Sequence, residues 1–480
     1  GPVVYELWVD RFAPPKDPKA MASKFPPPRA FHPWSEPAVP GHFDKAAGYW
    51  SHELEFWGGN LRGLQEKLPY IKELGVDVVY LRPVFDAYSS HKYDTTDYFR
   101  VAPEYGSNQD LVNLFSASHQ QGMKVILDGV FNHVGTRFGK FVQAKASGKN
   151  RNWFTFSPKY PNGFLSFAGV PSLPSLNLDN PEVRGYLWNK KESVVRHWLD
   201  QGADGWRLDV AYELGPKYLE ELTHAVHQEK KGAVVLGEIR GYPADWFPAV
   251  DGVFNFYALT IVRQMLGGEI KGQQVGQMLE DMGADAPYEN LLKSWLVADN
   301  GDTNRLASVV PDIKDRKLIE ALQFTLPGSP MIYYGTELGM TGASDIAARS
   351  PMRWDLASPS NPDLKWINSL VKVRHQFPSL RIGDFKTLRT NELLAFTRST
   401  DRLKEAVVVV VNPTDHPVTE SFGTRIGRAM SWATYRDALS GATLMAVDGI
   451  MKMTMPAKSV RMYSVVVPTG SSYDPHRRIP

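Results

Sequence analysis

Four apolar runs in this chain each lead into a carboxylate, and helix-length stretches separate them. Val125-Ile126-Leu127 leads to Asp128, Gly205-Trp206-Arg207-Leu208 to Asp209, Val234-Val235-Leu236-Gly237 to Glu238, and Trp295-Leu296-Val297-Ala298 to Asp299. Short apolar runs bounded by turn signals read as buried strands. A charge at the end of a buried strand is costly unless it is paired or used. One such end reads as a structural ion pair. Four, on strands that alternate with helices, point to a shared face, and in parallel β/α barrels the C-terminal strand ends form the active face. Arg207 and Asp209 stand two residues apart, so on a strand they project side by side.

The rest of the chain fits that frame. A first strand runs over Val3–Val9 and a second over Val76–Leu81. Strands near Gly252–Phe254 and Met331–Gly335 complete eight units, with intervening helices that include Glu182–Leu199 and Pro362–Gln376. Eight strand–helix units is the count of a (β/α)8 TIM barrel. The barrel is expected over residues 1–134 and 181–378. Between them the alternation stops, and Gly, Pro, Asn and aromatics predict a small subdomain over 135–180, protruding after the third strand. Residues 13–58 form a long irregular insertion, read as a cleft wall. After Pro378 short alternating runs predict an antiparallel β-sandwich domain to residue 468, followed by a tail over 469–480.

Composition narrows the partners. Lys and Arg number 54 against 52 Asp and Glu, without long blocks of one sign, so neither nucleic acid nor an anionic membrane surface is indicated. The absence of cysteine excludes disulfides, thiol catalysis and thiolate metal sites. No run is long and apolar enough to span a bilayer. The 13 Trp and 20 Tyr supply flat apolar faces with polar edges, which suit sugar clefts as well as cores.

These segments resemble the α-amylase family of glycoside hydrolases from about Val4 to Val467. The resemblance rests on Asp128-Gly-Val-Phe-Asn132-His133, Gly205-Trp-Arg207-Leu-Asp209, Gly237-Glu238 and Asp302 after the seventh strand, in that order. Leu173-Pro174-Ser175-Leu176-Asn177 and His91-Lys-Tyr93-Asp94 are similar to the branch that holds neopullulanases, cyclomaltodextrinases and maltogenic amylases. The resemblance implies Asp209 as nucleophile, Glu238 as general acid/base and Asp302 as the carboxylate that holds sugar hydroxyls. It implies Arg207, His133, His91, Tyr93, Asp94 and Asn132 as substrate-binding residues. Retaining hydrolysis needs one ionised carboxylate and one carboxylic acid about 5–5.5 Å apart. Arg207 beside Asp209 and an Arg-free Glu238 would separate those two tasks.

Two departures stand out. The family places a histidine directly before the third carboxylate, where it donates to the sugar; here the residue is Gly301. Losing one charge-assisted hydrogen bond costs about 1.5–3 kcal/mol, or roughly 10- to 150-fold in rate. Gly301 is expected to open space, filled by His32 or Trp34 from the insertion. The calcium-binding pattern is weak as well, because Ser175 and Asn177 stand where relatives carry an acidic ligand, so no metal or other cofactor is expected.

The expected function is retaining hydrolysis of α-1,4-linked glucans or malto-oligosaccharides. A transglycosylase using the same residues and a carbohydrate-binding protein with an impaired site are the alternatives, the latter resting on Gly301 alone. Oligosaccharide or polysaccharide is the expected partner. A chain that begins on its barrel is expected to be monomeric and secreted or periplasmic.

Overall fold

Eight parallel strands close on themselves. They are β1 (Val4–Leu7), β2 (Val78–Leu81), β3 (Lys124–Gly129), β4 (Gly205–Leu208), β5 (Val234–Gly237), β6 (Gly252–Asn255), β7 (Trp295–Val297) and β8 (Ser329–Tyr333). Each pairs with its neighbour in sequence, and β1 pairs with β8. The computed structural model describes residues 1–467. The expected tail at 469–480 lies outside the described residues, as does position 468.

Alternate strand positions fill the barrel. Val4, Val78, Tyr80, Ile126, Leu236, Phe254, Trp295 and Met331 form one buried interior cluster. Continuing at the same parity toward the C-terminal strand ends brings Glu6, Arg82, Asp128 and Glu238 to the mouth. In the β3–β4 register Arg207 stands opposite Asp128. The other face of β4 packs outward. Trp206 is fully buried, its ring 5.4 Å from Phe131, and truncating such a side chain costs about 3–5 kcal/mol. Outward packing therefore fixes the strand that carries the inward charges.

The expected helix over Glu182–Leu199 is interrupted. A short helix, Pro181–Arg184, passes into a π turn at Gly185–Asn189, and Lys190 is extended before the helix restarts at Val194–Asp200. The π turn buries both Leu187 and Trp188, and the Trp188 indole donates to Glu221. Tertiary packing overrides helical periodicity here.

Two excursions wall the mouth. In residues 13–58, Ala30–Phe31 pairs with Glu55–Phe56 and Phe43–Asp44 with Tyr49–Trp50. Buried Asp10 ties this insertion down by accepting from the Trp57 and Gly58 N–H groups. The 135–180 subdomain has one α-helix, Gly139–Ser147, and a Phe141–Phe154–Phe164 core. A bridge between His133 and Ser175 fastens it to the end of β3.

The C-terminal domain is a six-stranded antiparallel sheet facing a two-stranded ribbon, Val418–Gly423 with Ile450–Met455. Its central strand, Val407–Asn412, is buried on both faces. Val407, Val409 and Val411 join the core shared with the barrel, while Val408 and Val410 face the ribbon's core. That explains an unbroken valine run where alternation would be usual. The strands Asp384–Thr387, Val418–Gly423 and Thr443–Ala446 do not stand out in the sequence as alternating apolar runs. Each is partly exposed and carries polar residues, which hides the strand signal.

Candidate active site

Arg207 organises one side of the mouth. Its Nη1 donates to both Asp128 oxygens, at 2.9 and 3.0 Å, and to Asp209 Oδ1 at 3.0 Å. Its Nη2 lies 2.8 Å from Glu238 Oε2, an ion pair outside hydrogen-bond alignment. Tyr80 Oη donates to Asp128 at 2.6 Å, so Asp128 anchors the guanidinium from behind. After Asp209 the backbone turns through Val210, whose φ of 40° is in the left-handed region. That conformation is rare for a β-branched residue and is held only where surroundings enforce it. The turn aims the Val210 N–H at Glu238 Oε2, 3.1 Å away. The nucleophile candidate and the acid candidate are thus tied to one guanidinium and one backbone turn.

This geometry corrects the expected division of labour. Glu238 is not free of arginine. Besides Arg207, Arg240 curls back to within 3.6 Å of it, because β5 ends at Gly237 and the chain bends. Nor does Arg207 hold Asp209 in the ordinary range. Burial pushes the Asp209 carboxyl well up against the pull of Arg207, and the charges of Glu238, Asp128 and Asp302 push it further. One buried guanidinium thus serves three carboxylates, with half-exposed Arg240 adding to Glu238 alone.

His133 is buried over the same site. Asn132 Nδ2 lies 3.4 Å from His133 Nδ1, which places the ring proton on Nε2. That Nε2 has no hydrogen-bond partner among the described residues and sits 4.0 Å from Asp209 Oδ2, and Phe167 stacks on the ring at 4.8 Å. Burial drives the His133 pKa down to about 3, so the imidazole is neutral and offers an N–H.

A second charged group lies across the mouth. Arg82 donates to Glu6 Oε1 at 2.5 Å and, through both Nη atoms, to Asp302 Oδ2 at 3.0 Å. Arg349 Nη2 reaches Asp302 Oδ1 at 3.2 Å. Burial pushes the Asp302 carboxyl up, but Arg82, Arg349 and Arg207 together hold it well below the usual carboxylate range. Tyr93 Oη bonds Arg82 and Asp128, so it bridges the two groups. Its ring stacks on His91, whose Nε2 meets Glu53 of the insertion at 3.3 Å. Beside His91, Trp8 and Arg349, a cavity of about 170 Å³ is closed by Ala38, His52 and Glu53. The insertion therefore walls the cavity next to Arg349 and His91, which border Asp302 and Tyr93.

Gly301 does not open space. A Cβ there would lie 2.7 Å from Arg82 Nη2 and 2.9 Å from Trp8 Nε1. His32 stacks on Trp57, and the Trp34 indole donates to Met352 O, so neither fills the position. Asp94 also departs from expectation. Its two oxygens accept from Ser89 and Tyr49, fully buried, so it braces the His91–Tyr93 loop rather than facing the mouth. Asp299 is likewise absorbed by structure, accepting from Leu306 N–H and Thr336 Oγ1. Sequence reasoning missed Glu6, Arg82 and Arg349, and gave Asp128 no role. A charge inside Val3-Val4-Tyr5-Glu6-Leu7 and another closing Val78-Val79-Tyr80-Leu81-Arg82 were the available signals.

The residues at the base of the subdomain do not suit calcium. Asn132 contributes an amide and Ser175 a hydroxyl, and the Asn177 amide nitrogen already donates to Asn152 O. Calcium favours several oxygens that include carboxylates, and this set has none.

Residues 28–369 match the family model described as alpha amylase, catalytic domain. Neopullulanase 2 of Thermoactinomyces vulgaris is 31% identical over 473 residues, covering 94% of this chain and 76% of that one. A cyclomaltodextrinase of Geobacillus thermopakistaniensis is 33% identical over 77% of this chain, which spans only 65% of the relative's length. Among solved structures, the cyclic α-maltosyl-(1→6)-maltose hydrolase of Arthrobacter globiformis in complex with maltose superposes with a TM-score of 0.79. It is 26% identical, with 96% of this chain and 98% of that one covered. Barrel, mouth and matches agree: the chain belongs to the α-amylase family of glycoside hydrolases.

Proposed function

We propose that this protein hydrolyses α-1,4-glucosidic bonds in starch-type glucans or malto-oligosaccharides with retention of configuration. The observation that carries the reading is the single guanidinium of Arg207 shared by Asp209 and Glu238, with Asp128 behind it. Two carboxylates held together at a barrel mouth suit double displacement. Asp209 attacks the anomeric carbon as the glycosidic C–O bond breaks, and Glu238 gives its proton to the leaving oxygen. Glu238 then takes a proton from water, the water oxygen attacks the same carbon, and Asp209 is released. Asp302, ionised and pinned, accepts hydroxyl groups of the sugar being cleaved, and the free Nε2–H of His133 donates to another. The Tyr93 ring is the stacking face.

The substrate class draws on the relatives, which are named for pullulan, cyclic dextrin and cyclic maltosyl-maltose hydrolysis. We also propose a monomer that needs no metal, since the donor set at Asn132, Ser175 and Asn177 is neutral. Among the described residues no helix is long and apolar enough to cross a membrane. One relative is an intracellular maltogenic amylase of Bacillus subtilis, so the similar proteins lend export no support.

The test is a product profile on soluble starch, maltoheptaose, β-cyclodextrin, pullulan and trehalose, with Asp209→Asn as control. Cleavage of an α-1,4-linked substrate by the wild type alone is the expected result, and its products fix chain length and linkage. No cleavage of any of them, or equal cleavage by the control, overturns the reading.

A further inference from the structure

We propose that Glu6, Arg82 and Gly301 form one unit that positions Asp302 for the cleaved sugar, an inference that rests on the hydrolase reading above. Arg82 is fully buried. A buried cation is tolerated only when paired and hydrogen-bonded. Here Glu6 holds Nε from behind and Asp302 takes both Nη groups in front, while Tyr93 Oη meets Nη1 at 2.5 Å. The backbone of residue 301 is fastened in the same place. Its N–H donates to Glu6 Oε1 at 3.2 Å, and its carbonyl accepts from Arg349 Nε at 2.7 Å. The loop that carries Asp302 is therefore clamped through backbone and carboxylate together.

Gly301 belongs to the same device. Its φ is outside the left-handed region, so its backbone does not demand glycine. What demands it is volume, because a Cβ would collide with the Arg82 guanidinium and the Trp8 indole. A side chain at 301 and the Arg82 guanidinium compete for the same space. The departure at Gly301 and the buried Glu6–Arg82 pair are one substitution of design: a cation reaching across from β2 takes the room beside Asp302. Arg82 is completely buried and acts through Asp302, so it is a positioning residue.

The test separates positioning from structural support. Removing Arg82 alone strands Glu6 as an unpaired buried charge and can unfold the protein. The pair is therefore neutralised together as Glu6→Gln/Arg82→Gln. Turnover of p-nitrophenyl α-maltoside is then measured for this variant, for Asp302→Asn, and for the triple variant. The expected loss is about 10- to 150-fold in kcat with Asp302 present, the worth of a charge-assisted hydrogen bond in the transition state. In the Asp302→Asn background the same change is expected to cost little further. An equal loss in both backgrounds, or none in the first, overturns the proposal, since a structural pair would act independently of Asp302.

A second arm needs no substrate. The loss of Tm caused by Gly301→Ala is compared in the wild type and in Glu6→Gln/Arg82→Ala. A smaller loss in the latter is expected, and an identical loss overturns the link between the two positions. Where the wild type cleaves no glucan, the hydrolase reading fails, and this arm alone decides whether Gly301 and Arg82 form one unit.

Discussion

The mouth of this barrel holds two charge groups of opposite balance. On the β3–β5 side, buried Arg207 faces Asp128, Asp209 and Glu238, with half-exposed Arg240 beside Glu238 alone. On the β1–β2–β7 side, Arg82 and Arg349 face Glu6 and Asp302. The first group is short of positive charge, and its central carboxyl, Asp209, is pushed up by burial and by its neighbours. The second is matched, and Asp302 stays ionised despite burial. A short supply of cations leaves protons mobile, which acid–base and nucleophilic steps need. A matched supply fixes charge and orientation, which a hydroxyl acceptor needs. Neighbouring carboxylates thus take different tasks through the charge balance of the group each belongs to.

Breaking the first group has the largest expected effect. Asp209→Asn should lower kcat by about 10⁴-fold or more, as loss of a nucleophile does. It should not lower Tm, because it relieves crowding among three carboxylates that share one buried cation. A variant that retains substantial turnover, or that melts well below the wild type, would merge the two groups again. The pH profile sharpens the contrast next. Attack needs ionised Asp209, so activity is lost as pH falls through its raised pKa. The acid limb of kcat/KM should lie above the range near 4 of free carboxyl groups; a limb at or below that value contradicts the imbalance.

Asp299 gives a smaller, purely structural contrast. It ends a barrel strand as Asp209 does, yet its oxygens are spent on Leu306 N–H and Thr336. Asp299→Ala should cost about 1–3 kcal/mol of stability by stranding a buried N–H, with kcat per folded molecule unchanged. Loss of turnover without loss of stability would move Asp299 into the site. The smallest expected effect is that of a chelator: EDTA should leave both rate and Tm unchanged, and a loss restored by calcium would contradict the neutral donor set at the subdomain base.

The two groups were not equally legible in the sequence. Arg207, Asp209 and Glu238 could be read because each sits at the end of an apolar run, and strand parity puts Arg207 and Asp209 on one side. The same signal marked Asp299, where only the fold reveals that loop hydrogen bonds consume it. Glu6 and Arg82 carried the signal too, yet a single charge within a strand does not name its partner across a barrel. Gly301 read as a vacancy because its neighbours, Arg82 and Trp8, are remote in sequence. The eight strands followed from apolar runs and turn signals. The break after Asn189 did not, because burying Trp188 outweighs helical periodicity there. The C-terminal sheet was legible in its valine-rich centre and illegible at its partly exposed strands.

The most direct test of the account is the anomeric configuration of the first sugar released. Maltoheptaose cleavage followed by ¹H NMR from the earliest turnover should show the α-anomer at the new reducing end, with the β-anomer arising only by mutarotation. That result is the one expected of Asp209 as a nucleophile paired with Glu238 through Arg207. First release of the β-anomer would mean single displacement and would contradict the assignment of Asp209.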